Sequence, residues 1–213
     1  MCINDRVSIG AYILCMTTCV YLYKRHNMND RWIAIMFGYF GSMQLLEYMM
    51  WIDQECKGLN QFATTLGFLH NIFQPVMSIL VAYYYTNGKL PIYIYGIFII
   101  YLTTSFPWIY KMKKKNQCSL PCKNSNVGLS WDYTNTQYQM YVWGIFCLAI
   151  SIPFLAMRKK GYIYTSIIIG TYIIAHFISK NRCLDTSSSA PNGSWWCIMA
   201  SVVPLGAIMI NDK

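Results

Sequence analysis

Five polar side chains lie in two neighbouring apolar segments, and their types could do chemistry. Gln44 and Glu47 share one side of the first segment, and His70, Asn71 and Gln74 lie on the second. Counted inward at 1.5 Å per residue from the shared connection, Glu47, Gln44 and His70 lie about 9–15 Å deep. A carboxylate beside an imidazole can bind a proton or a cation, and the two glutamine amides can orient a polar ligand. We therefore expect an outward-facing polar pocket within the membrane, in which these five side chains bind a ligand.

The same residues also have a structural interpretation. Glu47 can be neutral and hydrogen-bonded to Gln44, Tyr48 or His70 for packing alone. His70 can be a buried imidazole with satisfied hydrogen bonds. Small and polar residues hold helices together in membranes, so a polar helix face is not by itself a binding site. Both interpretations stay open at the level of sequence.

The elements that must position these residues are long apolar runs. The chain has 213 residues, of which 55% are hydrophobic and 12% are charged. Glu47 is the only charged residue inside the seven runs, and the other charges lie between them. The runs cover residues 7–23, 32–52, 62–85, 90–108, 140–157, 162–179 and 195–210.

This segregation of charge predicts an all-α, polytopic membrane protein, because a charge in the middle of a bilayer costs roughly 3 kcal/mol or more. We expect a single domain built as a seven-transmembrane helix bundle, with six spans if the first or the last run does not cross. The lipid bilayer is then the main partner. Soluble enzymes, disordered proteins and nucleic-acid-binding domains are excluded as classes, and the oligomeric state is left open.

Cysteines and basic residues predict the orientation. Six cysteines outside or at the mouth of the runs fall on one face, as expected of an oxidising exterior or lumen with up to three disulfides. The short connections on the opposite face are basic, which favours the cytoplasm. We therefore predict an outside or lumenal N-terminus, a cytoplasmic C-terminus and a long outer loop over 109–139. The disulfide candidates, with 15 possible pairings, are Cys2, Cys56, Cys118, Cys122, Cys183 and Cys197.

A polar stripe follows the third run at spacings of three and four residues. This period predicts one helix face turned toward a neighbouring helix. Pro75, within the run, removes a backbone hydrogen bond and predicts a kink. The stripe consists of Asn60, Thr64, Gly67, Asn71, Gln74 and Ser78.

The stretch Gln44-Leu-Leu-Glu47, followed by Leu59-Asn60 and by His70-x3-Gln74-Pro75, resembles uncharacterised multi-pass membrane proteins of large DNA viruses. The resemblance covers about 32 residues, from Gln44 to Pro75. It implies a viral integral membrane protein in a host or virion membrane. It implies no known activity.

The sequence favours a binding or transport protein for a small polar or protonatable ligand or a cation. Glu47 would bind the proton or cation with His70 as its partner, and Gln44 and Gln74 would orient the ligand. No metal site and no cofactor is expected, since the three histidines lack ligand spacing. The alternative is a structural or interaction protein that acts through disulfide-linked outer loops. An intramembrane hydrolase with Glu47 as general base is a third, weaker candidate.

Overall fold

The computed structural model describes residues 4–25, 27–112, 118–121, 129–130, 139–157, 160–180 and 192–211. Over these residues the regular secondary structure is helical except for one pair of two-residue strands, and short turns connect the helices. The elements are α1 (Asp5–Lys24), α2 (Met28–Ile52), α3 (Leu59–Tyr85), α4 (Ile92–Met112), β1 (Leu120–Pro121), β2 (Leu129–Ser130), α5 (Gln139–Ser151), α6 (Gly161–Lys180) and α7 (Asn192–Asn211). A 3-10 turn over Ile152–Ala156 continues α5.

The all-helical prediction is confirmed, and each apolar run coincides with a helix. Within the described residues, three helical segments are long and apolar enough to cross a membrane: Asp5–Lys24, Leu59–Tyr85 and Gly161–Ile178. The run 32–52 lies in α2, which is not one of the three although it is longer than α1. Polar residues such as Asp30, Gln44 and Glu47 lower its apolar character. Seven spans therefore remain a prediction.

Helix α2 packs against three other helices, α1, α3 and α7. Aromatic side chains fill the core around it. Phe37 and Phe40 meet edge to face with ring centroids 5.4 Å apart, and Phe40 contacts Trp196 of α7 at 5.6 Å. Because α2 is enclosed on these sides, its polar residues Asp30, Gln44 and Glu47 lie in the interior.

Helices α1 and α2 approach closely at Gly41. A Cβ atom placed on Gly41 would overlap Cys15 Sγ and lie 3.1 Å from Cys15 Cβ. The Cys15 thiol donates a hydrogen bond to the carbonyl oxygen of Phe37, with 3.4 Å between sulfur and oxygen. Small residues that let two backbones come together are typical of helix contacts in membranes.

One end of the bundle is held by an ion pair that the sequence reasoning missed. Arg25 Nε lies 3.1 Å from Asp30 Oδ2, and the Asp30 side chain is fully buried. The Arg25 guanidinium also donates to the carbonyl oxygen of Ile208 at 3.3 Å. Arg25 therefore joins the ends of α1, α2 and α7. The signal in the sequence was an acid in the first turn of an apolar helix, a few residues after a basic pair.

Pro75 does not end α3, which continues to Tyr85. Because proline lacks an N–H group, the carbonyl four residues earlier loses its helical partner. Nearby carbonyls accept bonds from neighbouring helices instead. The Tyr39 hydroxyl of α2 donates to the carbonyl of His70 at 3.2 Å, and the Tyr101 hydroxyl of α4 donates to that of Ile72 at 2.9 Å.

The opposite end of the bundle carries a disulfide and a short segment in which Ser119 is buried. Cys56, between α2 and α3, is bonded to Cys118, with 6.2 Å between their Cα atoms. Residues 118–121, which we call the plug, follow this bond. The plug includes β1, which pairs antiparallel with β2. We refer to this end as the plug end.

Candidate functional site

The predicted stripe on α3 is buried along its length. Every polar member is at most 2% exposed, as the three- and four-residue spacing predicted. Gly67 lies against two methionines, since a Cβ atom there would be 2.8 Å from Met43 Cε and 3.2 Å from Met50 Cε. The stripe therefore faces α2 over most of its length. Its polar members are Asn60, Thr64, Asn71, Gln74 and Ser78.

Glu47 and Gln44 form a polar pair inside the bundle. Both side chains are fully buried. Gln44 Nε2 donates to Glu47 Oε2 across 2.7 Å, a short bond of the kind expected for a carboxylate acceptor. The two residues stand one helical turn apart on α2, as the sequence predicted. The carboxyl group is enclosed in this structure rather than open to solvent.

His70 is held against a different side of α2. Its ring stacks on Tyr39, with centroids 4.2 Å apart and an angle of 10° between the planes. Its Nε2 lies 2.8 Å from the carbonyl oxygen of Tyr39 and 2.9 Å from Ser42 Oγ. Ser42 Oγ itself donates to the same Tyr39 carbonyl at 2.7 Å. The imidazole is thus fixed by stacking and by hydrogen bonds.

Gln74 completes the imidazole's hydrogen bonds from within α3. Its Nε2 lies 3.2 Å from His70 Nδ1 and 3.1 Å from Asn71 Oδ1. An amide nitrogen is only a donor, so Nδ1 accepts and the ring proton sits on Nε2, where it can be donated to the Tyr39 carbonyl. This arrangement describes a neutral imidazole. His70, Asn71 and Gln74 therefore form one connected group.

The five predicted site residues thus form two groups. The hydrogen bonds of the His70 ring go to Tyr39, Ser42 and Gln74, and Glu47 is bonded to Gln44. The expected pairing of Glu47 with His70 is not made. The reason is the rotation of α2: Ser42 and Glu47 are five residues apart, which is about 140° around a helix. The sequence shows that Glu47 and His70 lie at similar depths, but equal depth does not determine which side of α2 Glu47 occupies.

A groove of about 380 Å³ lies beside His70, between α2 and α3. Its polar lining comes from Tyr39, Ser42 and His70, and leucine and phenylalanine side chains form the rest. Glu47 is not among its lining residues. The carboxyl group and this groove are therefore separate features of the α2–α3 interface.

The plug closes the end of this interface one turn beyond Glu47. Asn60 Nδ2 donates to the carbonyl oxygens of Ser119 and Met50, at 2.9 Å each, and Asn60 Oδ1 accepts from the Ser119 amide at 2.8 Å. Ser119 Oγ lies 2.9 Å from Thr64 Oγ1, and Ser119 is fully buried. Sequence reasoning missed Ser119. Its only sequence signal was its position next to Cys118.

Asp53 organises the turn that carries the disulfide. Its two carboxylate oxygens accept from the amides of Asn60 and Lys57, each at 2.9 Å. These bonds stabilise the charged form and hold the pKa of the Asp53 carboxyl below its ordinary value. Gly58 sits in the same turn at φ +124°, a conformation that favours glycine. The start of α3 is therefore fixed where Asn60 meets the plug.

The cysteine predictions have mixed outcomes. Cys56 and Cys118 form a disulfide, one of the pairings left open. Cys197 forms no disulfide. It carries a free thiol and is 1% exposed, because it lies on the face of α7 that packs into the core beside Trp196. Three further candidates lie outside the described residues: Cys2, Cys122 and Cys183. Among the residues that the structure describes, no cluster of three His, Cys, Asp or Glu side chains could hold a metal ion.

Fold and site together define an all-helical protein with helices able to cross a membrane and a buried polar seam between two of its helices. The chain belongs to a family of unknown function (DUF5765), whose model matches residues 6–195. The match includes α2, α3 and the plug. No curated protein and no solved structure matches the chain. The viral origin implied by the resemblance stays a prediction.

Proposed function

We propose that this chain is an integral membrane protein whose seven helices span the bilayer and which binds a proton or small cation at Glu47 for transport. The plug end faces the outside or lumen, and the C-terminus faces the cytoplasm. On the resemblance described above, the membrane is that of a host cell or a virion. His70, Asn71 and Gln74 support the seam between α2 and α3 rather than contacting the ion.

Exposed apolar side chains around the bundle support the membrane location. Ile13 of α1, Leu80 of α3, Ile99 of α4 and Ile174 of α6 are each more than half exposed. In water such surfaces mark interaction or membrane sites. In a bilayer they are the expected contacts with lipid.

The observation that carries the proposal is the full burial of Glu47 in the apolar stretch of α2. An ionised carboxylate is costly in an apolar medium, so such a group is expected to hold a proton or a cation. Ionisable residues inside membrane helices mark ion and proton pathways more often than structural roles. Gln44 donates to one oxygen of the carboxyl group and so fixes its orientation within the seam.

The plug supports a closed outer entrance in the proposed transport cycle. Ser119, Asn60 and Met50 lie about one turn beyond Glu47 toward the plug end. In this proposal, an ion from the outside reaches Glu47 after the contact between Ser119 and Asn60 has opened. We assign the described conformation to the outward-closed state of the proposed cycle.

The test is a current recording on a solid-supported membrane with the full-length protein reconstituted in liposomes. A pH step and a panel of monovalent cations are applied to wild type, Glu47→Gln and Glu55→Gln. Glu55 is the matched control because its side chain is 74% exposed and ion-paired with Lys57. We expect a current in wild type and Glu55→Gln that is lost in Glu47→Gln. Equal currents in all three folded proteins, or none in wild type, would overturn the proposal.

The second candidate is a structural or interaction protein that acts through its outer loops. The observation that favours it is the disulfide between Cys56 and Cys118, which fixes the plug to the bundle. On this account Cys118→Ser abolishes function, whereas Glu47→Gln leaves it intact. The two candidates therefore differ in which of these variants is inactive.

A further inference from the structure

A second cavity, of about 410 Å³, lies at the end of the bundle opposite the plug. It is formed where α2 begins, where α3 ends and where the 3-10 turn finishes. Met28 and Trp32 line it from α2, and Tyr85 and Lys89 from α3 and the following turn. It is far from Glu47 along α2, since 15 residues separate Trp32 from Glu47 and each adds about 1.5 Å.

The wall of this cavity is aromatic and fixed. The rings of Trp32 and Tyr85 stack, with centroids 5.7 Å apart and 15° between their planes. Phe154 packs on Trp32 at 6.2 Å. Trp32 is 1% exposed, so its indole backs Tyr85 from within the core, and Tyr85 and Met28 supply the apolar surface that is open to the cavity. A preformed apolar surface of this kind suits the apolar part of a ligand.

The rim of the cavity is polar and cationic. Lys89 and Asn87 are exposed on the turn after α3, and Thr86 stands beside them. Among the described residues, the Lys89 ammonium has no ion-pair or hydrogen-bond partner. Asp30, the acid that the described part of the chain places near this end, forms an ion pair with Arg25. The rim therefore offers an uncompensated positive charge next to an aromatic wall.

We propose that this cavity binds the headgroup of an anionic phospholipid. The phosphate would contact the Lys89 ammonium and the Asn87 amide, and the first part of the acyl chains would lie against Met28 and the Tyr85 ring. Free phosphate would gain nothing from the aromatic wall, which favours a lipid over a soluble anion. Trp, Tyr and Lys together at a helix end are typical of the interface between membrane and water. A basic residue there attracts anionic lipid. This inference rests on the membrane location proposed above but not on ion binding at Glu47.

The experiment is native mass spectrometry of the full-length protein in detergent, titrated with phosphatidylglycerol or with phosphatidylcholine. Wild type is compared with Lys89→Gln and with the control Lys57→Gln, which lies at the plug end beside Glu55. Lys89 is exposed on a turn, so its replacement is not expected to unfold the protein; the thermal midpoint of each variant checks this.

We expect wild type and Lys57→Gln to bind phosphatidylglycerol more tightly than phosphatidylcholine. Lys89→Gln should lose about fivefold in affinity for phosphatidylglycerol and nothing for phosphatidylcholine, as one basic contact at a membrane surface predicts. Equal affinities for the two lipids in wild type, or an unchanged preference in Lys89→Gln, would overturn the proposal. Displacement of the lipid by equimolar inorganic phosphate would overturn it too, because it would identify a soluble anion as the ligand.

The lipid-binding proposal and the ion-transport proposal can be overturned independently. If Glu47→Gln and wild type give the same currents but Lys89→Gln loses its lipid preference, the function proposed above is wrong and the lipid site stands. The reverse result keeps the ion site and removes the lipid site.

Discussion

Asn60 and Ser119 exchange two hydrogen bonds across the plug end of the bundle. Asn60 Nδ2 donates to the Ser119 carbonyl at 2.9 Å, and the Ser119 amide donates to Asn60 Oδ1 at 2.8 Å. A helix side chain therefore satisfies both backbone groups of a loop residue, as a neighbouring strand would. The disulfide beside it keeps the loop close enough for this pairing.

The first prediction concerns the contact of Thr64 with the plug. Thr64→Val should lower the free energy of unfolding by about 1–3 kcal/mol, because Ser119 Oγ and Asn60 Oδ1 would each lose a buried partner. Hydrogen exchange at the Ser119 amide should become faster. Thr65→Val is the control, since Thr65 is exposed and bonds only within its own helix, and it should change stability by less than about 0.5 kcal/mol. Equal effects of the two variants would contradict this account of the plug.

The second prediction concerns the close approach of α1 and α2. Gly41→Ala should destabilise the fold by about 1–3 kcal/mol, because its Cβ atom would overlap the Cys15 side chain. Gly170→Ala is the control, since a Cβ atom on Gly170 meets no atom within 4 Å. That variant should be neutral or stabilising by up to about 1 kcal/mol. Denaturant titration in detergent measures both, and a neutral Gly41→Ala would mean that the helices are further apart.

The sequence predicted the helices and the buried face of α3 because both follow from periodicity. The spacing of Asn60, Thr64 and Gln74 matches the turn of a helix, so any neighbour would bury them together. It could not predict the relation of Glu47 to His70. That relation depends on the rotation of α2 about its own axis, which packing against α1 and α7 sets as much as packing against α3 does.

The contacts made by the loops could not be predicted from the sequence either. Ser119 is an ordinary serine in a polar loop, and its burial depends on a disulfide whose pairing was one of many. The ion pair of Arg25 and Asp30 was within reach, because a buried acid in the first turn of an apolar helix requires a cation nearby. The basic residues at the end of α1 were interpreted only as a signal of membrane orientation, so their pairing with Asp30 was not predicted.

The third prediction concerns that ion pair. Arg25→Gln should lower the free energy of unfolding by about 3–5 kcal/mol, since it removes the cation that pairs with a buried carboxylate. Combining it with Asp30→Asn should restore most of the loss, because a neutral amide is cheaper to bury than a charge. The free energies of unfolding of the two single variants and the double variant form a cycle that measures the coupling. A double variant as unstable as the sum of the singles would contradict the interpretation.

The fourth prediction concerns the effect of low pH on the turn between α2 and α3. The pKa of Asp53 is lower in the folded protein than in the unfolded chain, where it is about 3.9. Its contribution to stability is therefore complete above that value and is lost as the pH falls through the folded-state pKa. Asp53→Asn should lower the thermal midpoint near neutral pH, and the gap to wild type should shrink on strong acidification. A gap that stays constant with pH would show that the Asp53 charge does not act through these amides.

The most direct test of the account is whether Glu47 itself binds and releases the ion. Infrared difference spectroscopy of the reconstituted protein, recorded across a pH step and across a cation exchange, reports carboxyl groups that change state. We predict a carboxyl band that responds to pH or to cation in wild type and in Glu55→Gln, and its absence in Glu47→Gln. A wild-type spectrum without such a band, or the same band in Glu47→Gln, would show that the buried carboxyl serves packing alone.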